Sequence, residues 1–387
     1  MMLLRIILAI LAIFLSVPMQ SCSNTSSSIT VDYENLGIPL EGRYDGGRER
    51  TAWDIEIFDD KLFVASGDYD KNSGPIDLKY FDLTDHTWHD SGIVPDEQIE
   101  RFFIIDDSLV APGADPKDDW SLGNYYQYAG DQWQTHRMIP GGIHQFDMLK
   151  FEGNIFIGIG VVGGQFPAVK SADNGKTFTQ VPFYRNGTLL DTMPEAKEDG
   201  SIPSAHIRVY DLFQLEDQLY ALYYYNDGTN MERAFYKYTD GAFWFYADLS
   251  SDIKFKRISR EVFTAKAEFK GKAYLSCGNL YTTEDFIYFK PVVLGDDLIT
   301  SDLQVIKDKL YICTIQRLGD GECRTSIWCN ATGHSNDYTQ LFCFTFPSPA
   351  QCFKFQDGIF YFGMGDGMLS EYDETNGTIL AVHYPVD

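Results

Sequence analysis

Seven stretches of this chain repeat one phrase: an apolar run, a tight acidic or glycine-containing turn, then a second apolar run of the Leu-Tyr-Val type. They read IEIFDDKLFVASG (55–67), FFIIDDSLVAPG (102–113), MLKFEGNIFIG (148–158), LFQLEDQLYAL (212–222), AEFKGKAYLSCG (267–278), LQVIKDKLYIC (303–313) and CFKFQDGIFYFG (352–363). Aligned on Asp60, Asp107, Gly153, Asp217, Gly271, Asp308 and Asp357, they recur about every 50 residues. Two β-rich runs around a tight turn make a hairpin. Regular repetition of that unit restricts the chain to architectures that stack or circle one supersecondary element.

Between the phrases lie two more short strands, often ending at an aromatic residue. Four strands per unit and seven units predict an all-β fold, a seven-bladed β-propeller over residues 31–387. Closure of the ring is open at this level: residues 30–40 or residues 378–386 could complete the last blade. Phe 28, Tyr 24 and Gly 33 suit such a chain of strands and turns.

Two local patterns resemble known repeats. Tyr80, Asp82 and Trp88 resemble the outer strands of a Kelch repeat. Ser171-Ala172-Asp173-Asn174-Gly175-Lys176-Thr177-Phe178 is similar to the Asp-box of bacterial neuraminidase repeats, with a degenerate echo at Thr282-Thr283-Glu284-Asp285-Phe286. The resemblance implies an outer-rim hairpin in which Ser171, Asp173, Gly175, Thr177 and Phe178 are structural. It also implies the sialidase-like superfamily as a background for glycan-directed chemistry.

The N-terminus reads as an address. Residues 6–17 are a run of twelve after Arg5, apolar except for Ser16, too short to span a bilayer and suited to a signal peptide over 1–21. Met19-Gln20-Ser21-Cys22 resembles a bacterial lipoprotein signal, which implies lipidation at Cys22 and a polar tether over 22–30. The expected location is the outer membrane or cell surface; ordinary cleavage would instead give a secreted or periplasmic protein. The other six cysteines, Cys277, Cys313, Cys323, Cys329, Cys343 and Cys352, all fall in the last third of the chain. An even number in an exported chain predicts up to three disulfides, with 15 pairings that sequence leaves open. Their spacing gives no zinc knuckle.

The propeller register points to a site. Six positions before the turn residue lie Asp54, Arg101, Asp147, Asp211, Ala265, Asp302 and Gln351. Three positions further out are His144 and Arg208, with His206 nearby. One reading is a polar ring at the channel mouth that holds a small polar or sugar-acid ligand, or a cation. The other is a water-filled channel whose aspartates cap neighbouring strand ends. A carbohydrate or protein ligand at the top face is the first expectation; the alternative is a glycoside hydrolase or polysaccharide lyase using these groups. The long connection 183–205 is positioned to act as a lid.

No cofactor or metal is required, although a structural or channel cation such as calcium would suit the acidic face. The nucleophile elbow, Walker loop and His-Glu-x-x-His motifs are missing from the sequence. With 31 basic against 56 acidic residues, the net charge of −25 argues against nucleic acid and against anionic membranes as electrostatic partners. Membrane contact is expected only through the lipid anchor, and the chain is expected to be a monomer.

Overall fold

The computed structural model describes residues 29–44, 47–118, 120–161, 164–190, 206–254, 263–319, 321–366 and 373–386. The signal segment, Cys22, nearly all of the tether and most of the expected lid lie outside the described residues. Within them the chain is almost entirely β. The only described helical segments are two three-residue 3-10 turns, Arg48–Arg50 and Tyr69–Lys71.

Every repeated phrase forms an antiparallel hairpin, and each hairpin extends outward into a four-stranded meander. Unit 1 runs Ile55–Phe58, Lys61–Val64, Ile76–Asp82 and Thr87–Val94. Unit 2 contains Phe103–Ile105, Ser108–Pro116, Leu122–Ala129 and Gln132–Pro140. Unit 3 contains Gly142–Phe151, Asn154–Val161, Ala168–Ser171 and Thr179–Gln180. Unit 4 comprises His206–Leu215, Gln218–Asn226, Met231–Thr239 and Ala242–Asp248. In unit 5 the strands are Ala265–Phe269, Lys272–Ser276, Leu280–Thr283 and Lys290–Val292. Those of unit 6 are Ile299–Ile306, Lys309–Arg317, Cys323–Asn330 and Thr339–Phe346.

Unit 7 resolves the closure. Ala350–Gln356, Ile359–Met364 and Ile379–His383 come from the C-terminal end, and Glu34–Gly37 supplies the fourth strand. Both candidate segments are therefore used, with Glu34 opposite Ala381 and Asn35 opposite Leu380. Arg50 locks the junction. Its Nε donates to the Asn376 carbonyl at 2.7 Å, and Nη2 donates to the carbonyls of Asp373 and Glu374 at 3.0 and 2.7 Å.

The hairpins turn tightly because their central residues adopt positive φ. Asp59 and Asp60 (50° and 55°), Asp106 and Asp107 (50° and 57°), and Lys307 and Asp308 (47° and 60°) all do so. This left-handed pair matches the twist of the flanking strands and is most accessible to Gly, Asn and Asp. In unit 7 the turn pair is Asp357-Gly358, between Gln356 and Ile359. Alignment on Asp357 is thus one residue early, and the ring position in unit 7 belongs to Cys352 rather than Gln351.

Each unit buries one face on the next. Phe63, Ala65 and Ile76 of unit 1 pack with Phe102, Leu109 and Tyr126 of unit 2. Phe213 and Phe235 of unit 4 pack with Leu275 and Phe286 of unit 5. Cys352, Tyr361 and Ile379 of unit 7 pack with Ile55, Leu62 and Val64 of unit 1. Such repeated burial of large apolar side chains is the main source of stability in radial β folds.

The six C-terminal cysteines are all free thiols, which corrects the disulfide expectation. Cys277, Cys313 and Cys352 are fully or nearly buried in three separate apolar clusters. They act as small core residues.

Candidate functional site

The ring position six residues before the turn has a constant local geometry at three of its aspartates. In each, one carboxylate oxygen accepts the N–H of the next residue: Ile55 for Asp54 at 2.9 Å, Met148 for Asp147 at 3.0 Å, Leu303 for Asp302 at 2.7 Å. The other oxygen accepts an N–H from the inner strand of the following unit: Phe102 at 2.8 Å, Leu212 at 2.6 Å, Phe353 at 2.9 Å. These three donors occupy equivalent positions, five before the turn. A bulge just before the aspartate re-aims the side chain in units 3 and 6. In unit 7 the same joint is made by Cys352, whose thiol donates to the Ala52 carbonyl of unit 1 at 3.5 Å.

The remaining ring members meet in the channel. Arg101 extends from unit 2 to within 3.4 Å of Asp211 and 4.0 Å of Asp147, and also donates to the Phe263 carbonyl at 3.2 Å. Lys266 pairs with Asp147, and Lys354 lies 2.8 Å from Glu56. The second oxygen of Asp211 is buried with no hydrogen-bond partner among the described residues, so Arg101 is its principal compensation. A cavity of about 280 Å³ lies among Asp54, Arg101, Lys266, Asp302, Cys352 and Lys354. Its charged walls are largely engaged with one another, as expected for a polar channel that must satisfy its own buried groups.

Burial pushes the Asp54 carboxyl up to about 7, with Lys354 opposing and Glu56 reinforcing. Asp302 is pushed up to about 6 by burial, against Lys354 and its two backbone donors. These acids keep their protons to higher pH in the folded chain than in the unfolded one. The folded state therefore holds more protons between about pH 4 and pH 7, and the stability these groups contribute falls as pH rises through that window. Asp54→Asn should accordingly flatten the pH dependence of Tm between about pH 4.5 and 7.5. An unchanged slope would place the responsible acid elsewhere.

The second group of predicted residues lies further from the turn on the strands that carry Asp147 and Asp211. His144 and Arg208 occupy matching positions, nine before the turn in units 3 and 4. Phe146 and Tyr210 occupy matching positions two residues further along, on the same strand face. Together with Tyr69 and Tyr224 they form a row of rings. Centroid separations are 5.0 Å for Tyr69–His144, 5.5 Å for His144–Phe146, 4.6 Å for Phe146–Tyr210 and 5.5 Å for Tyr210–Tyr224. The Arg208 guanidinium lies 5.6 and 5.7 Å from the Phe146 and Tyr210 centroids and donates to the Tyr210 hydroxyl at 2.9 Å. His206 is exposed at the start of the same strand.

Burial first, then the charge of Arg208 and the neighbouring His206, pushes His144 down to about 3, so its imidazole is neutral. Its Nε2 is 3.5 Å from Asp115, and its Nδ1 is buried with no hydrogen-bond partner among the described residues. Burial and Glu97 push Asp115 up to about 7, against Arg208. Tyr69, Phe146, Tyr210, Tyr224 and Asp115 were not anticipated as site residues. The recoverable signal was the shared register of Phe146 and Tyr210.

The eight-residue segment at 171–178 joins the outer strands of unit 3. Asp173 accepts the N–H and the hydroxyl of Thr177, both at 2.8 Å, and Ser171 accepts the Gly175 N–H at 2.8 Å. Phe178 is buried beneath it. Among the described residues, the only close group of Asp, Glu, His or Cys with cation-binding spacing is Asp82, Asp85 and His89. It lies on the outer hairpin of unit 1, where Asp82 and Asp85 already accept turn N–H groups.

No family model matches the chain, and no curated protein matches it. Among solved structures, the polysaccharide lyase Uly1 is similar at 11% identity and a TM-score of 0.47, over 95% of each chain. A putative 6-phosphogluconolactonase from Bacteroides fragilis is similar at 13% identity and a TM-score of 0.46, over 79% of this chain and 87% of that one. A protein from Lactobacillus plantarum gives 12% and 0.46, over 78% and 88%. Likeness at this level assigns neither activity nor ligand.

Proposed function

We propose that this chain is an exported seven-bladed β-propeller that binds a carbohydrate at the mouth of its channel, on the aromatic row between units 3 and 4. The observation that carries this reading is the row itself. Rings from Tyr69, His144, Phe146, Tyr210 and Tyr224 follow one another in contact, and Arg208 and Asp115 stand beside them. Mostly apolar walls with a few placed polar groups are what a sugar ring needs: its C–H faces pack on aromatic surface while its hydroxyls find donors and acceptors. A glycan array followed by calorimetry tests the reading. Binding to at least one oligosaccharide class is expected, and failure across the array would remove it.

The address reading accompanies this proposal. Lipidation at Cys22 would hold the protein at the cell surface, because several acyl chains anchor firmly where one does not. Cys22→Ala should move the protein from the membrane fraction to the soluble fraction; unchanged fractionation would contradict the anchor.

A second reading is favoured by one observation, the neutral His144 with an uncommitted ring nitrogen beside Arg208 and Tyr210. A bound sugar carboxylate beside it would raise its affinity for a proton, and the imidazole could then take the proton next to that carboxylate, the first step of polysaccharide lyase chemistry. The same oligosaccharide mixtures, followed by ultraviolet absorbance, would reveal unsaturated products. Hydrolysis by Asp54, Asp147 or Asp302 receives no such support, since both oxygens of each are engaged by backbone N–H groups.

A further inference from the structure

The cations around the channel differ in one respect. Arg101 faces Asp147 and Asp211, Lys266 pairs with Asp147, Lys354 with Glu56, Arg317 with Asp366, and Arg48 with Asp68 and Asp70. Arg208 makes no ion pair among the described residues. It instead lies over the Phe146 and Tyr210 rings and is fixed by one hydrogen bond to the Tyr210 hydroxyl. A guanidinium held this way keeps N–H donors for a ligand and needs little ordering when one binds.

We propose that Arg208 is the specificity determinant for an anionic sugar, a uronate carboxylate or a sulfate ester, whose ring packs on Tyr210. The inference rests on the carbohydrate reading above and sharpens it to a substrate class. A planar guanidinium matches the paired oxygens of either group. The surroundings agree. Burial pushes up both carboxylates that act on Arg208, Asp115 to about 7 and Glu100 above its ordinary value, so each competes less for the guanidinium. The histidines on this face, His144 and His206, add no negative charge. The overall charge of −25 makes general attraction of polyanions unfavourable, so discrimination for charged sugars must arise locally. Salt screening limits the repulsion to about 10 Å, which lets a local site prevail at moderate ionic strength.

Calorimetric titration of the full chain with four probes tests this: oligogalacturonate, its methyl ester, dextran sulfate and dextran. At least one charged probe should bind about 10- to 100-fold tighter than its neutral counterpart, the range expected for a charge-assisted hydrogen-bond pair. The two pairs distinguish carboxylate from sulfate. Arg208→Gln, checked by thermal melting for an intact fold, should erase the difference, and Arg208→Lys should retain part of it. Equal binding of charged and neutral probes, or discrimination that survives Arg208→Gln, would overturn the inference and leave the carbohydrate reading standing. No binding of any of the four probes would also overturn the inference, and only failure across the glycan array would remove the carbohydrate reading with it.

Discussion

Arg101→Met should leave the chain about 3–5 kcal/mol less stable, the loss typical when one partner of a buried ionic group is removed. Arg101 is the group that reaches across the channel, and it faces two carboxylates, Asp147 at 4.0 Å and Asp211 at 3.4 Å. Asp147 would keep Lys266 and its two backbone donors. Asp211 would lose its nearest counter-charge, with one oxygen already lacking a hydrogen-bond partner among the described residues. Burial already raises the Asp211 acid against the influence of Arg101, so the variant should take up a proton there and become more stable toward low pH. Urea unfolding reads the loss as a lower midpoint at unchanged slope. A loss below about 1 kcal/mol would mean that the pair behaves as a solvated surface bridge.

Asp302→Ala should cost about 2–4 kcal/mol, because two buried N–H groups, Leu303 and Phe353, lose their acceptor together and each unsatisfied donor costs about 1–3 kcal/mol. The effect should be larger than that of truncating an exposed turn aspartate such as Asp308, because Asp302 joins unit 6 to unit 7 next to the closure of the chain. Equilibrium unfolding of the two variants in parallel gives the comparison. Equal stability would contradict the stapling role.

The hairpins were legible because both of their signals are local. Strand periodicity and a turn pair able to take positive φ are written within a dozen residues, as in FFIIDDSLVAPG. The misplacement in unit 7 has the same origin. An acidic residue served as the alignment mark, whereas the second turn position there is taken by Gly358 at φ 85° and Asp357 takes the first. Closure by both ends was not legible. Glu34–Gly37 is a four-residue edge strand without apolar alternation, and its place is set only by pairing with Ile379–His383.

The candidate site divides along similar lines. Equal register of Asp54, Asp147 and Asp302 is visible in the sequence, but their use as joints depends on donors 48, 65 and 51 residues further along the chain. Sequence could not separate that use from ligand binding. Phe146 and Tyr210 read as ordinary strand residues, and Tyr69 comes from a separate loop, so the row exists only once three units are packed. The cysteine expectation failed for a related reason: an even count says nothing about facing, and Cys277, Cys313 and Cys352 lie in three different clusters.

If the aromatic row holds the ligand and the ring of aspartates is structural, the two roles separate when the best oligosaccharide from the array is titrated calorimetrically into Tyr210→Ala and Asp302→Ala, each also followed by thermal melting. Tyr210→Ala should lose about tenfold or more in affinity, the effect of removing an aromatic anchor, with some loss of Tm from the ring contacts it gives up to Phe146 and Tyr224. Asp302→Ala should bind like the unmodified chain while melting at a lower temperature. The reverse pattern, binding lost at Asp302 and kept at Tyr210, would contradict the account.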